Sequence, residues 1–328
     1  MIITRSPLRI SFLGGGTDIS AFYKQEKSII FGGAINQFVY VTSNRLSKFS
    51  EEKFRFTYRK TESVLQASDF QHPVVRCALA KFTDVQSINL ATFSDIPGGT
   101  GLGSSSAFTV ALLGNLRALT NNNISSKELA LEAISIERTE LKEFGGIQDQ
   151  LHTAMGGLRF YELLGEEIHL SESFNDSEFF RLVNQSMLLV RVGQFRSSEQ
   201  VHFSRGNIDF EILRKINNIS RYFQRNFREN EASLDLLAEC MNESWELKKR
   251  INSRITTNEI DEVINLGLKT GAQAAKLCGA GKSGFVLFIA SPKVISELIK
   301  VFTENRCQKV EFIEKGFQIF RLIEESVA

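Results

Sequence analysis

The chain has 328 residues, 42% hydrophobic and 23% charged, with a formal net charge of +1. That is the composition of a globular protein of about two domains, and its near-zero charge provides no field for holding nucleic acid or an anionic membrane. Four cysteines without a Cys-x-x-Cys pair and four scattered histidines exclude a disulfide framework and a zinc cluster.

The N-terminal apolar residues are interrupted by Arg5 and Arg9, so no signal peptide is read, and no apolar run approaches a membrane span. The expected compartment is the cytoplasm, and the expected state a monomer or homodimer. Leu8, Ile10 and Phe12 alternate with Arg9 and Ser11, the period of a half-buried strand. The strand runs into Gly14, Gly15, Gly16, Thr17 and Asp18. This stretch reads either as backbone brought against a ligand or as a sharp corner capped by Asp18. Strands are expected over Ala34 to Arg45, Lys53 to Arg59 and Ser87 to Asp95, with a helix over residues 72–83.

The central stretch, Pro97 to Ala107, holds Gly98, Gly99, Gly101 and Gly103 together with Thr100, Ser104, Ser105 and Ser106. An apolar run, Phe108 to Leu119, follows at once. A glycine-rich turn opening a helix is an anion site, because the first helical N–H groups have no partner within the helix. The serines can cap the helix or bind a metal or phosphate. A flexible linker is the competing reading, but a linker has no need of an abrupt passage into an apolar helix. Two better-known phosphate loops do not fit. A dinucleotide fingerprint would want glycine at Ser106, and its Gly-x-Gly would directly follow a strand. Gly279 to Ser283 ends like a Walker A loop, but Lys276 stands where that motif begins with glycine.

Lys127 to Phe144 reads as one helix, with Leu129, Ala130, Ala133, Ile134, Ile136 and Leu141 as its apolar face. Glu137 lies among them, Glu140 and Glu143 toward water, and Gly145-Gly146 as the stop. Ile147 to Gln150 opens a short helix ending at Gly156-Gly157, in which Asp149 reads by itself as a cap. Leu158 to Leu163 and Met187 to Val192 read as strands. A polar loop with Gly193, Arg196, Ser197 and Ser198 follows. Helices are expected over Asp209 to Phe227, Ala232 to Ile251 (with Trp245 in the core) and Glu259 to Leu268. Ala274 to Gly284 is a further small-residue stretch. A strand over Phe285 to Ala290, a helix over Pro292 to Glu304 and strands over Lys309 to Ile313 and Phe317 to Ile323 close the chain.

Three of these stretches resemble motifs of the GHMP kinases, in family order. Pro97, Gly101, Leu102, Gly103, Ser104, Ser105 and Ala107 match the second motif. Arg9, Gly14, Thr17 and Asp18 match the first, with Gly15 and Gly16 in place of the Glu-His pair of galactokinases; this form resembles the sugar 1-kinase branch. Lys276 to Phe285 resembles the third motif, with Lys282 and Ser283 replacing glycines, which implies strain if those positions need positive φ. Gly146 to Gln150 resembles the segment that carries the family's proposed base.

The resemblance implies two α+β domains, 1–180 and 181–328, the first like domain 2 of ribosomal protein S5 and the second ferredoxin-like. It implies ATP and Mg²⁺ as cofactors and a sugar phosphate as substrate, with D-glycero-D-manno-heptose 7-phosphate favoured. Gly98, Gly99, Thr100, Gly101, Leu102, Gly103, Ser104, Ser105 and Ser106 would meet ATP, and Ser105 with Glu137 would hold Mg²⁺. Asp149 would be the base, kept ionised by Arg9. Gly15, Gly16, Thr17, Asp18, Arg196 and Gly281 would meet the sugar. Another sugar 1-kinase, such as one acting on fucose, and a catalytically silent sugar sensor are the alternatives.

Overall fold

The computed structural model describes residues 1–122, 124–171, 173–174, 177–193, 209–251, 255–279, 281 and 283–322. The first strand, β1 (Ile2–Leu13), carries the expected alternation on its second half, where Leu8, Ile10 and Phe12 enter the core. Arg9 points to the opposite face and is also buried, at 6% exposure, because the site covers it. After a single turn, α1 (Ser20–Tyr23), the chain returns as β2 (Ser28–Asn44). This strand begins six residues earlier than its sequence pattern suggests, since Gly32 and Gly33 interrupt the hydrophobic signal without interrupting the ladder. Its first half pairs with β6 and its second with β5, while β1 lies along its other edge.

The hairpin of β3 (Phe54–Thr57) and β4 (Thr61–Val64), helix α2 (Pro73–Lys81) and strand β5 (Ile88–Ser94) complete one wing of the sheet. Helix α3 (Ser104–Leu119) then runs against β1 and β2, buried along most of its length. Helix α4 (Ser126–Ile134) opens with a Ser125–Glu128 capping box. It does not continue to Phe144 as its periodicity suggests. Residues Ser135–Glu140 widen into a π turn, and Lys142, at φ 53°, ends the run before the Gly145-Gly146 pair is reached. The π turn holds Glu137 in the interior, at 2% exposure. Helix α5 (Gln148–Met155) and the strands β6 (Leu158–Leu164) and β7 (Glu167–Leu170) follow.

Helix α6 (Glu178–Gln185), with its Ser177 cap, leads into the second sheet. There β8 (Met187–Val192) is followed by α7 (Phe210–Arg228), α8 (Leu234–Ile251) and α9 (Asn258–Lys269). Then come β9 (Ala274–Leu277), β10 (Gly284–Ile289), α10 (Pro292–Phe302) and β11 (Cys307–Lys309). The antiparallel order β11-β8-β10-β9 is the ferredoxin-like arrangement of two interleaved β-α-β units. Strand β11 is shorter than, and displaced from, the expected Lys309–Ile313 strand. From Val310 the chain leaves this sheet, makes a bridge between Phe312 and Ile35, and ends as β12 (Gln318–Arg321) paired with β1.

Phenylalanine joins the two halves. Phe31 stacks on Phe160 with ring centroids 4.4 Å apart, and Phe223 and Phe227 of α7 close over both rings. Trp245 is buried in the separate core of the second sheet. No helix among the described residues is long and apolar enough to cross a membrane.

Candidate active site

Between β5 and α3 the backbone turns through left-handed φ at Gly99, Gly101 and Gly103, with Gly103 as the cap residue of α3. The side chains of Thr100 and Leu102 are fully buried, so what this loop can offer a ligand is its main chain and its serines. Such alternation in front of a helix turns successive N–H groups into one concavity, a nest for anions. Gly101 also meets the other half of the molecule. A Cβ built on it would lie 2.3 Å from the Cys278 carbonyl oxygen, so only glycine lets the loops after β5 and β9 touch.

Arg9 lies beneath this loop and holds it to α5. Its Nε and Nη2 donate to the two carboxylate oxygens of Asp149, each at 2.7 Å, and its Nη1 donates to the Gly101 carbonyl at 2.7 Å. Paired fork geometry of this kind fixes direction as well as charge. Burial works to raise the Asp149 carboxyl, but the Arg9 guanidinium overrides it and holds the group below its ordinary range. The Asp149 side chain is still 25% exposed, so the carboxylate can meet a ligand.

The corner after β1 packs inward. Thr17 is fully buried and donates to the Gly14 carbonyl at 2.8 Å. Asp18, at 2% exposure, accepts from the Gly16 N–H at 3.0 Å and from the Gln148 N–H at 3.1 Å. Asp18 thus caps α5 and fixes the place of Asp149. The approach depends on Gly146, where a Cβ would lie 1.7 Å from Asp18 Oδ2. Burial, reinforced by the Asp149 charge, raises the Asp18 carboxyl. Gly15 stays open, with Ser11 Oγ at 3.7 Å and Gln148 Nε2 at 3.8 Å from its would-be Cβ. Ser11 Oγ and Gln148 Oε1 are buried without a hydrogen-bond partner, so the corner is lined by unsatisfied polar atoms.

Glu137 lies on the far side of the α3 N-terminus. Its Oε2 accepts from Ser106 Oγ at 3.0 Å and Gln150 Nε2 at 2.6 Å, while Oε1 is buried and unpartnered. Burial raises this carboxyl, although Arg138 opposes it. The hydroxyl bonded to Glu137 is that of Ser106; one helical step places Ser105 on the exposed side. Among the described residues no group of three or more His, Cys, Asp or Glu could hold a metal ion. One carboxylate with an orphaned oxygen beside hydroxyls and a glycine-rich helix N-terminus instead fits Mg²⁺, which takes one or two carboxylates and completes its shell with water and substrate phosphates.

The other expected site residues lie as follows. Gly98 faces Ser104 and Arg59 beside the loop. Gly281 abuts the main chain of Ile255, 2.8 Å from a would-be Cβ. Arg196 and Lys282 lie outside the described residues. Ser283 is absent from the non-glycine positions with positive φ, so the strain inferred for it does not arise; Gly279, Gly281 and Gly284 carry the left-handed turns. Sequence reasoning missed Ser11, Gln148, Lys248 and Lys276. Lys276, 7% exposed, donates to the Ser11 and Phe12 carbonyls at 3.0 and 2.8 Å and so ties β9 to β1. Its position five residues before Gly281, where a Walker A glycine would stand, was the available signal.

Residues 72–157 match the model of the GHMP kinases N terminal domain, and residues 223–304 that of the GHMP kinases C terminal. The chain is 25% identical to a D-glycero-alpha-D-manno-heptose 7-phosphate kinase of Campylobacter jejuni subsp. jejuni serotype O:2, over 98% of this chain and 99% of that one. It is 22% identical to a bifunctional fucokinase/GDP-fucose pyrophosphorylase of Arabidopsis thaliana, over 64% of this chain and 20% of that one. Its fold matches the crystal structure of a D-glycero-D-manno-heptose 1-phosphate kinase from Bacteriodes thetaiotaomicron with a TM-score of 0.79 at 21% identity, covering 99% and 100% of the two chains.

Proposed function

This chain belongs to the GHMP kinase family, and from that premise we propose that it is an ATP- and Mg²⁺-dependent kinase that phosphorylates the anomeric hydroxyl of a sugar phosphate. D-glycero-D-manno-heptose 7-phosphate is the favoured acceptor, giving a heptose 1,7-bisphosphate. The observation that carries the reading is the Arg9 fork, which binds Asp149 and the Gly101 carbonyl at once. It ties a carboxylate to a phosphate nest, which is what transfer from a nucleotide to a hydroxyl needs.

Phosphoryl transfer depends mainly on positioning and charge neutralisation. The N–H groups of Gly99 to Ser105 hold the ATP phosphates at the α3 N-terminus. Asp149, ionised by Arg9, orients the acceptor hydroxyl and takes its proton. A carboxylate held low is a weak base, which suits a transition state that asks little proton removal before the phosphoryl group has moved. Glu137, with the α3 serines, would hold Mg²⁺, which supplies charge neutralisation on the phosphates when bound. Ser11, Gln148 and the open backbone at Gly15 offer polar contacts to sugar hydroxyls, in a pocket shaped by Thr17 and Asp18. Arg196 is the candidate partner for the acceptor's own phosphate.

The similarity to the heptose 7-phosphate kinase over the full length of both chains favours the heptose acceptor. The similarity to the fucokinase supports a second reading, an unphosphorylated sugar as acceptor. ADP release measured with ATP, Mg²⁺ and a panel of heptose 7-phosphate, free heptose, fucose and galactose separates them. The first reading requires the highest kcat/KM with heptose 7-phosphate, and a preference for fucose replaces it with the second. No sugar-dependent ADP release would leave a silent sensor.

A further inference from the structure

Helix α8 brings to the site a cation that neither the glycine loop nor the Asp149 segment accounts for. Trp245 and Leu247 bury the last turns of α8 in the two cores, and Lys248 follows them, half-buried. Its ammonium donates to the Gly279 carbonyl at 2.9 Å. An ammonium has three N–H donors, so two are uncommitted among the described residues. Gly279 lies directly on the phosphate loop, where a Cβ built on it would be 2.3 Å from Gly101 Cα. The Gly101 carbonyl in turn takes Arg9 Nη1 at 2.7 Å, and the rest of that guanidinium holds Asp149. Lys248, the phosphate loop and the Asp149 carboxylate are therefore linked by direct contacts across the junction of the two halves.

Lys276 is a different case. Its two bonds to β1 carbonyls commit it to joining the sheets. Lys248 has two donors uncommitted among the described residues, and it feels the charges of Arg9, Asp18 and Asp149. Burial lowers its ammonium from the ordinary range, a penalty that an anion at the site would relieve.

Resting on the kinase reading above, we propose that Lys248 is a further catalytic residue, the ammonium that the second half of the molecule lays on the phosphoryl group in transfer. In that step the bond from the bridging oxygen to the γ-phosphorus breaks, and its electron pair leaves on ADP. The acceptor oxygen forms the new bond to phosphorus, and its proton goes to Asp149. Lys248 changes neither its bonds nor its charge; its N–H groups meet the negative charge on the moving group. The contacts that link it to Asp149 run through Gly279, Gly101 and Arg9, which puts it on the phosphate-loop side of the site. The acceptor's own phosphate lies at the other end of the sugar, which argues against Lys248 as its holder.

The test uses the full chain with Lys248→Met and Lys248→Arg, ATP, Mg²⁺ and heptose 7-phosphate or free heptose. Lys248→Met should lose about 10²–10³-fold in kcat, the scale for removing one donor from developing charge. KM for ATP and for either sugar should change little. Binding of ADP with fluoroaluminate, which imitates the phosphoryl group in flight, should weaken in parallel with kcat, and Lys248→Arg should recover part of both. A rise in KM confined to heptose 7-phosphate with kcat retained would overturn the proposal and make Lys248 the holder of the acceptor's phosphate. A parallel fall in melting temperature and ATP affinity, not rescued by arginine, would reduce it to a prop for Gly279. A wild type without turnover on any sugar defeats the kinase reading itself, before a variant is made, and this proposal falls with it.

Discussion

Replacing Arg9 by methionine keeps the apolar stem and removes the fork. It takes away both 2.7 Å bonds to Asp149 and the bond to the Gly101 carbonyl. Removing one partner of a buried ion pair costs about 3–5 kcal/mol, because the other charge is left unpaired. Arg9 is 6% exposed, but the Asp149 side chain is 25% exposed, so water reaches the orphan and the low end, about 3 kcal/mol, is the expected loss at pH 7.5. The pH dependence carries the sign. In the wild type the Asp149 carboxyl is held below its unfolded value, so its stabilisation is present above an unfolded pKa of about 3.9 and is lost as pH falls through the lower folded value. Without Arg9 only burial remains as the leading influence, and it raises the carboxyl. The variant should then regain stability relative to the wild type as pH falls through that raised value. Urea midpoints at pH 7.5 and 5.5 measure this, together with Arg9→Met/Asp149→Asn, which removes the orphan charge and should be more stable at pH 7.5 than Arg9→Met alone. An equal deficit at both pH values, with a double variant as unstable as the two single losses added, would refute the reasoning.

Three further outcomes follow from the same geometry. Asp149→Asn keeps the size but loses the charge, and kcat should fall by about 10²–10⁴-fold with ATP affinity by calorimetry little changed; wild-type turnover would remove Asp149 from the mechanism. Glu137→Gln should raise the Mg²⁺ concentration for half-maximal rate by at least about tenfold, the lower bound for outer-shell partners of a metal. Its urea midpoint should not fall, because burial already disfavours the charge; an unchanged Mg²⁺ requirement would place the metal elsewhere. Gly101→Val combines a left-handed φ with a Cβ 2.3 Å from the Cys278 carbonyl oxygen. It should destabilise by about 2–5 kcal/mol, against about 1–2 kcal/mol for Gly165→Ala, which also has positive φ but nothing within 4 Å. Equal melting temperatures for the two would deny the contact between the loops.

Much of the fold was legible because local signals agreed with tertiary demands. The apolar run after Ser106 became α3, and Met187 to Val192 became β8 with the same bounds. The misreadings have identifiable causes. Periodicity carried α4 through to Phe144 because a π turn keeps apolar residues near their helical positions while shifting the hydrogen bonds. Strand β9 was hidden in a stretch of alanines, whose strand propensity is low; its partner β10 decides it. The departure of the chain at Val310 toward β1 is a long-range pairing that no local pattern encodes.

The site divides in the same way. Gly101 lies in a stretch whose composition is itself unusual, whereas Arg9 and Asp149 were singled out by the family resemblance, since Asp149 by itself reads as a cap. Ser106 bonds Glu137 while Ser105 turns outward, a difference that no motif encodes because a motif fixes residue types but not which hydroxyl turns inward. Lys248 and Lys276 look in sequence like solvated lysines, one near the end of an amphipathic helix and one in a small-residue stretch. Only the packing of Gly279 on Gly101 reveals that both belong to the junction of the two halves.

Transfer to the anomeric hydroxyl is read most directly by phosphorus NMR of the product formed from ATP, Mg²⁺ and D-glycero-D-manno-heptose 7-phosphate. A new resonance coupled to the anomeric proton is expected, appearing in equal amount with ADP and about 10²–10⁴-fold more slowly with Asp149→Asn. ADP accompanied only by inorganic phosphate, or a new phosphate on any hydroxyl other than C1, would contradict it.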